Sequence, residues 1–166
     1  MKTNIDTHSV MNISMRLLML VCLFFLAACG RSVSYESPPV KHTKSPDRLS
    51  PVDIALQQIG TPYRYGGHSP SGFDCSGLVY YAYRQQGMNV PRSTTQQLSY
   101  ARKIAYADLT YGDLVFFRIS KNKVSHVGIY IGGKKFVHAP SSGKLVQISS
   151  LNNKYWRQRI VSIGRI

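Results

Sequence analysis

Three residues carry the chemistry this sequence can do. Cys75 stands in Asp74-Cys75-Ser76-Gly77, and His126 and His138 follow in the stretch Ser125-His126-Val127-Gly128-Ile129-Tyr130-Ile131-Gly132-Gly133-Lys134-Lys135-Phe136-Val137-His138. A thiol becomes a nucleophile when a base takes its proton, and an imidazole does this well when a third group holds its ring. Asp74 is a good helix cap, which would put Cys75 in the first turn of a helix, where free N–H groups and the helix dipole favour the thiolate. Gly66-Gly67 and Gly72 allow the backbone to approach a substrate, and Gly77 allows another element to pack against the helix.

The histidine stretch predicts a β-hairpin. With a three-residue loop in which Tyr130 faces Lys134, His126 lies directly opposite His138 on one face; with a two-residue loop the two point to opposite faces. Gly132-Gly133 permits either turn or a bulge. In the three-residue case His126 serves as base and His138, as a neutral imidazole, as its orienting partner. The stretch holds no Asp or Glu for that third place. Zinc is the competing use of one Cys and two His, but its fourth ligand would have to come from His68 in a loop, so no metal is expected. His42 falls in a polar, Pro-rich segment and is expected to be solvated.

The cysteine count sharpens the reading of Cys75. Residues 1–28 carry Lys2 and Arg16 followed by the apolar run Leu17–Ala28, too short to span a membrane and shaped like a secretory signal. Leu26-Ala27-Ala28-Cys29 resembles the bacterial lipobox, in which the cysteine is acylated after cleavage. Of three cysteines, Cys22 would leave with the leader and Cys29 would carry lipid, so Cys75 has no partner for a disulfide. A lone thiol outside the cytoplasm is open to oxidation unless buried or used. Met11 or Met15 as the start would not alter this. By resemblance to lipoprotein sorting rules, Gly30 in place of Asp favours the outer membrane of a two-membrane envelope.

The elements that must position these groups are legible downstream. Residues 29–50 are rich in Ser, Pro and charge and form a flexible tether. Residues 51–166 form the folded domain. A helix is expected from Pro51, capped by Ser50 and stopped at Gly60; a second from Cys75 to Gly87; and a third from Ser93 through Leu98 to Ile104, with Ser93 and Gln96 as a capping box. β-rich runs follow at 112–119, 124–131, 135–139, 145–148 and 159–166. Helices first and strands after argue for an α+β domain with an antiparallel sheet.

Charge limits the partners. The whole chain has 21 Lys and Arg against seven Asp and Glu, a net +14. Losing Lys2, Arg16 and Asp6 with the leader leaves about +13. Nucleic acid is the usual partner of such a charge, but an exported protein seldom meets any. The available anions are lipid headgroups, lipopolysaccharide and wall-peptide carboxylates.

The segments Gly60-Thr-Pro-Tyr63-Arg64-Tyr65-Gly66-Gly67, Phe73-Asp74-Cys75-Ser76-Gly77-Leu78-Val79, Pro91-Arg92-Ser93-Thr94, Gly112-Asp113-Leu114-Val115-Phe116-Phe117 and Ser125-His126-Val127-Gly128-Ile129-Tyr130 resemble, in order and spacing, the NlpC family of cell-wall cysteine peptidases. The resemblance implies a papain-like α+β fold, with N-terminal helices packed on a central antiparallel sheet. It further implies Cys75 as nucleophile, His126 as base, His138 as third residue, and Tyr63 and Ser76 at the substrate and oxyanion site. Peptidoglycan is the implied substrate, cut at stem-peptide or crosslink bonds next to diaminopimelate, with no cofactor. The chain is expected to act as a monomer on the periplasmic side of the envelope, held to the membrane by lipid on Cys29. Two alternatives remain at this point: an amidase cutting between sugar and stem peptide, and an anchored wall-binding lipoprotein whose triad is unused.

Overall fold

The computed structural model describes residues 49–120 and 123–166. The expected leader, the expected lipidation site Cys29 and nearly all of the expected tether lie outside the described residues.

Helix α1 spans Pro51–Leu56, and its start follows from its first residues. The Ser50 hydroxyl accepts from Asp53 N–H at 3.2 Å while the Asp53 carboxylate accepts from Ser50 N–H at 2.9 Å, so two donors at the helix start are satisfied reciprocally. The helix ends earlier than Gly60, and turns carry the chain there. Gly60 to Tyr63 then runs beside 144–146: Gly60 N–H donates to Val146 O, Val146 N–H to Thr61 O, and Tyr63 N–H to Lys144 O at 2.8 Å. A small hairpin follows, β1 (His68–Ser69) and β2 (Gly72–Phe73).

Helix α2, Cys75–Arg84, has Asp74 as its cap, accepting from Gly77 N–H at 2.7 Å. It buries Leu78, Val79, Ala82 and Tyr83, and the turn after it contains Gly87 at φ +74°. Helix α3, Thr94–Tyr100, starts after Ser93 as anticipated but stops short. Arg102–Ile104, expected at the end of that helix, is instead strand β3, paired antiparallel with the last strand. The main-chain groups of 102–104 are satisfied across the sheet rather than along a helix, a long-range pairing that no local pattern announces.

Strands β4 (Leu114–Phe117), β5 (His126–Tyr130), β6 (Lys135–His138), β7 (Gln147–Ser150) and β8 (Ile160–Arg165) complete a six-stranded antiparallel sheet in the order β3-β8-β4-β5-β6-β7. A short helix α4, Lys154–Arg157, capped by Asn153, precedes β8. Alternation along the strands gives the sheet two apolar faces. Leu114, Phe116, Val127, Ile129 and Val137 pack with residues of α1 and α2. Val115, Phe117, Phe136 and Leu151 form a second cluster, against which Trp156 of α4 packs. The result is the α+β arrangement expected, with helices packed on a central antiparallel sheet.

The β5–β6 hairpin corrects the anticipated register. Its loop has three residues, but they are Gly132, Gly133 and Lys134, closed by Ile131 N–H to Lys135 O, and Tyr130 faces Phe136 rather than Lys134. All three loop residues have positive φ, at +81°, +57° and +57°. Lys134 holds this conformation without being glycine because its neighbours fix it. Its N–H donates to the Tyr130 hydroxyl at 3.2 Å and its carbonyl accepts from Leu151 N–H at 2.7 Å. The shift from the anticipated register is two residues, so His126 and His138 stay on one face but lie diagonal to each other.

Candidate active site

Cys75 opens α2 and is half-buried on the edge of a cavity of about 470 Å³ lined also by Tyr63, Tyr65, Ser76, Arg92, Thr94 and Ser125. The thiol lies 3.9 Å from the carbonyl of Ser125, and Val127 N–H is directed at the sulfur, so it meets the backbone on both sides of His126, at the start of β5. The Thr94 hydroxyl, at the start of α3, is 3.6 Å from Sγ. Two helix starts and one strand start therefore converge on the thiol.

His126 Nε2 and His138 Nδ1 are 2.8 Å apart. With Nε2 engaged, Nδ1 is the remaining ring nitrogen of His126. The pair is buried: His126 is 2% exposed and His138 fully buried. Its cover is aromatic. Trp156 stacks on His126 at 5.4 Å between ring centroids and meets His138 edge-on at 4.9 Å, while Phe117 and Phe136 flank the two imidazoles. Burial disfavours charge on the rings and holds both well below the ordinary histidine value, His126 to about 3 and His138 to about 2. Both imidazoles are neutral at ordinary pH, the form in which one can take a proton and the other can accept a hydrogen bond.

Burial also acts on Cys75, against the anticipated effect of the helix start. Desolvation pushes the thiol up, and the neighbouring Asp74 carboxylate adds to this. Thr94 and the N–H groups of Val127 and Ser76 pull the other way without winning. Burial thus favours the neutral form of the thiol and of both imidazoles.

Beside Cys75, Asp74 is the hub of a polar cluster. Its carboxylate accepts from Gly77 N–H, from Gly66 N–H at 2.9 Å, and from both Arg92 terminal nitrogens at 2.9 and 2.8 Å. Arg92 and the hydrogen bonds hold the Asp74 carboxyl below the usual carboxylate range despite its partial burial. Ser76 belongs to the same cluster: its hydroxyl donates to Asp74 at 3.2 Å and accepts from Arg92 at 3.1 Å. Buried Gln97 donates to Ser76 O at 2.9 Å and to Pro91 O at 2.8 Å, tying α2 to the segment carrying Arg92. Gly77 has the role anticipated for it, since a Cβ there would collide with the carbonyl of Gly67.

The structure therefore brings Cys75, Tyr63 and Ser76 to one cavity and couples His126 to His138 behind it. The Tyr63 hydroxyl is held above its ordinary value, first by burial and then by Cys75 and Asp74. His68 stands apart, with Nδ1 3.3 Å from Gly66 O and its ring edge-on to Tyr80. Among the described residues no group of three or more His, Cys, Asp or Glu is placed to hold a metal ion. Four residues were missed as parts of this site. Thr94 and Arg92 lie in a quoted motif without an assigned role. Ser149, whose hydroxyl lies 2.9 Å from His138 Nε2, is one serine among several, and Trp156, the single tryptophan of the chain, offered its uniqueness as the only signal.

Comparison with known proteins agrees with this architecture. The chain is 46% identical over 116 residues to the murein DD-endopeptidase MepH of Escherichia coli (strain K12), a match covering 67% of this chain and 43% of that protein. It is 45% identical over 116 residues to the probable endopeptidase NlpC homolog of Haemophilus influenzae, covering 69% of this chain and 61% of that one. The chain thus spans about half the length of these relatives. Among solved structures, the NlpC/p60 domain of the peptidoglycan hydrolase SagA superposes with a TM-score of 0.62 at 36% identity, covering 70% of this chain and 97% of that domain. The NlpC/P60 family profile matches residues 60–165, from the turn before Tyr63 to the last strand, and the chain belongs to the NlpC/P60 family.

Proposed function

We propose that this protein is a thiol endopeptidase of peptidoglycan, with Cys75 as nucleophile, His126 as base and His138 as the residue that orients it. The observation that carries the reading is the 2.8 Å contact between two buried imidazoles behind a thiol that opens onto a cavity. The relatives named for murein endopeptidase activity support the substrate class.

The chemistry follows from the groups. A stem-peptide carbonyl enters the cavity, the Cys75 sulfur attacks its carbon, and the thiol proton passes to His126 Nδ1. The oxyanion forms where the Cys75 N–H, at the start of α2, can donate. His126 then gives its proton to the leaving amine, leaving a thioester on Cys75. Water, deprotonated by His126, releases the acid and restores the thiol. The bonds proposed are those next to diaminopimelate, in the stem peptide or its crosslink. The envelope location belongs to the same reading: lipid on Cys29 and a basic surface would hold the domain near the wall. Loss of palmitate labelling in Cys29→Ala tests that part.

The test of the activity is digestion of purified peptidoglycan by the chain and by Cys75→Ala, with mass identification of the released peptides. Cleavage that disappears in the variant supports the reading and names the bond. Release of whole stem peptides from sugar would make the enzyme an amidase. Wall binding without cleavage by either protein would make it a binding lipoprotein.

A further inference from the structure

We infer that Ser149 is a fourth member of the catalytic array, a positioning residue whose hydroxyl accepts the hydrogen bond that His138 must donate when His126 carries the thiol proton. This rests on the thiol mechanism proposed above.

Ser149 lies on β7, where it pairs with Phe136 while His138 pairs with Gln147. Two residues separate Ser149 from the position opposite His138, so the two side chains share a face and meet on the diagonal. The Ser149 hydroxyl is 2.9 Å from His138 Nε2. The β5–β6 pair repeats the geometry, with His138 reaching His126 diagonally. One line of hydrogen bonds therefore crosses three adjacent strands, from His126 through His138 to Ser149.

Proton bookkeeping gives this line a direction. Once His126 has taken the thiol proton on Nδ1, both its nitrogens carry hydrogen, and Nε2–H can only donate to His138. His138 must then present a lone pair at Nδ1, which puts its own hydrogen on Nε2. That N–H points at Ser149. His138 is fully buried and Trp156 covers the pair, so bulk water is no ready substitute. If Ser149 instead donated to Nε2, His138 would carry its hydrogen on Nδ1 and His126 its own on Nδ1, where no thiol proton could then be received. The reactive state requires the hydroxyl as acceptor, and no proton moves beyond His126 at any step.

The decisive comparison is Ser149→Val against Ser149→Thr in the full chain. Threonine keeps the hydroxyl and valine replaces it with a methyl group at nearly equal volume. Three readouts apply: kcat and KM on purified crosslinked muropeptides, the rate of Cys75 alkylation by iodoacetamide against pH, and the 15N shifts of the histidine ring nitrogens. Loss of a group that orients a reactive imidazole's partner costs about tenfold to a hundredfold. We expect Ser149→Val to lose about that much in kcat with KM unchanged, to alkylate more slowly at neutral pH, and to show a changed His138 tautomer. Ser149→Thr should keep kcat within about twofold. Equal kcat in both variants and the parent, or equal loss in both, would overturn the assignment. Should the valine variant fail to fold, Ser149→Ala is read in its place. Retained cleavage in Cys75→Ala would instead sink the thiol mechanism, while alkylation and 15N shifts, which need no substrate, still decide the role of Ser149.

Discussion

Arg92 grips both carboxylate oxygens of Asp74, the residue that caps the helix carrying Cys75. The same guanidinium donates to Gly67 O at 3.0 Å, so one side chain joins the helix start, the Gly66–Gly67 turn and the segment before α3. Arg92→Gln removes the positive charge that offsets Asp74. The thiol, already raised in part by that carboxylate, should rise further. Alkylation of Cys75 at neutral pH should slow by several-fold, and urea unfolding should show a loss of about 1–2 kcal/mol, a modest figure because the pair is partly exposed.

Asp74→Ala goes further, because it removes the cap itself as well as the acceptor for Gly66 N–H. A lost cap costs about 1 kcal/mol, and stranding Arg92 adds to it. The expected outcome is a loss of about 2–3 kcal/mol in urea unfolding together with loss of activity, since the first turn of α2 carries the proposed nucleophile. Asp74→Asn, which keeps an acceptor, should retain more stability than Ala.

Trp156 shields the imidazole pair, and burial is what holds the pair below its ordinary pKa. Trp156→Ala should admit water and let His126 rise toward 6.5. The acid limb of the pH–rate profile should then move upward, and denaturation should show a loss of about 2–3 kcal/mol, less than for a fully buried tryptophan. An unmoved acid limb would argue that the pair is kept neutral by something other than this cover.

Both histidines have folded-state values below their unfolded ones. Between pH 6.5 and about 3 the unfolded chain binds protons that the native state refuses, so stability should fall as pH falls through this window. Two such imidazoles set a limiting slope of about 2.7 kcal/mol per pH unit. Asp74 and Asp113, both lowered, add their losses only below the ordinary carboxylate value. His138→Asn should roughly halve the slope between pH 6 and 4, measured by urea unfolding across that range.

Much of this was legible because it is local. Asp74 before Cys75 and Gly87 after Arg84 mark α2 by capping chemistry, and the alternation around His126 marks β5. What escaped reading was set by distant partners. Ile104 continues an apolar pattern that suits a helix, yet β8 claims it for the sheet. The Cys75 thiol looked poised for ionisation by its helix start, and only the packing of α2 against the strand reveals the opposing desolvation. Ser149 and Trp156 became functional candidates through the strands and helix that carry them to the imidazoles, which no spacing in the chain records.

The three-residue tip of the β5–β6 hairpin bears on how such a protein can diverge. If the tip stayed three residues long, a one-residue insertion or deletion there would slip the pairing by one and turn His138 to the other face of the sheet, away from His126 and Ser149, whereas a change of loop length would leave the pairing intact. Length variation at this tip among descendants of this chain should therefore come as a change of loop type that keeps Ile131 opposite Lys135.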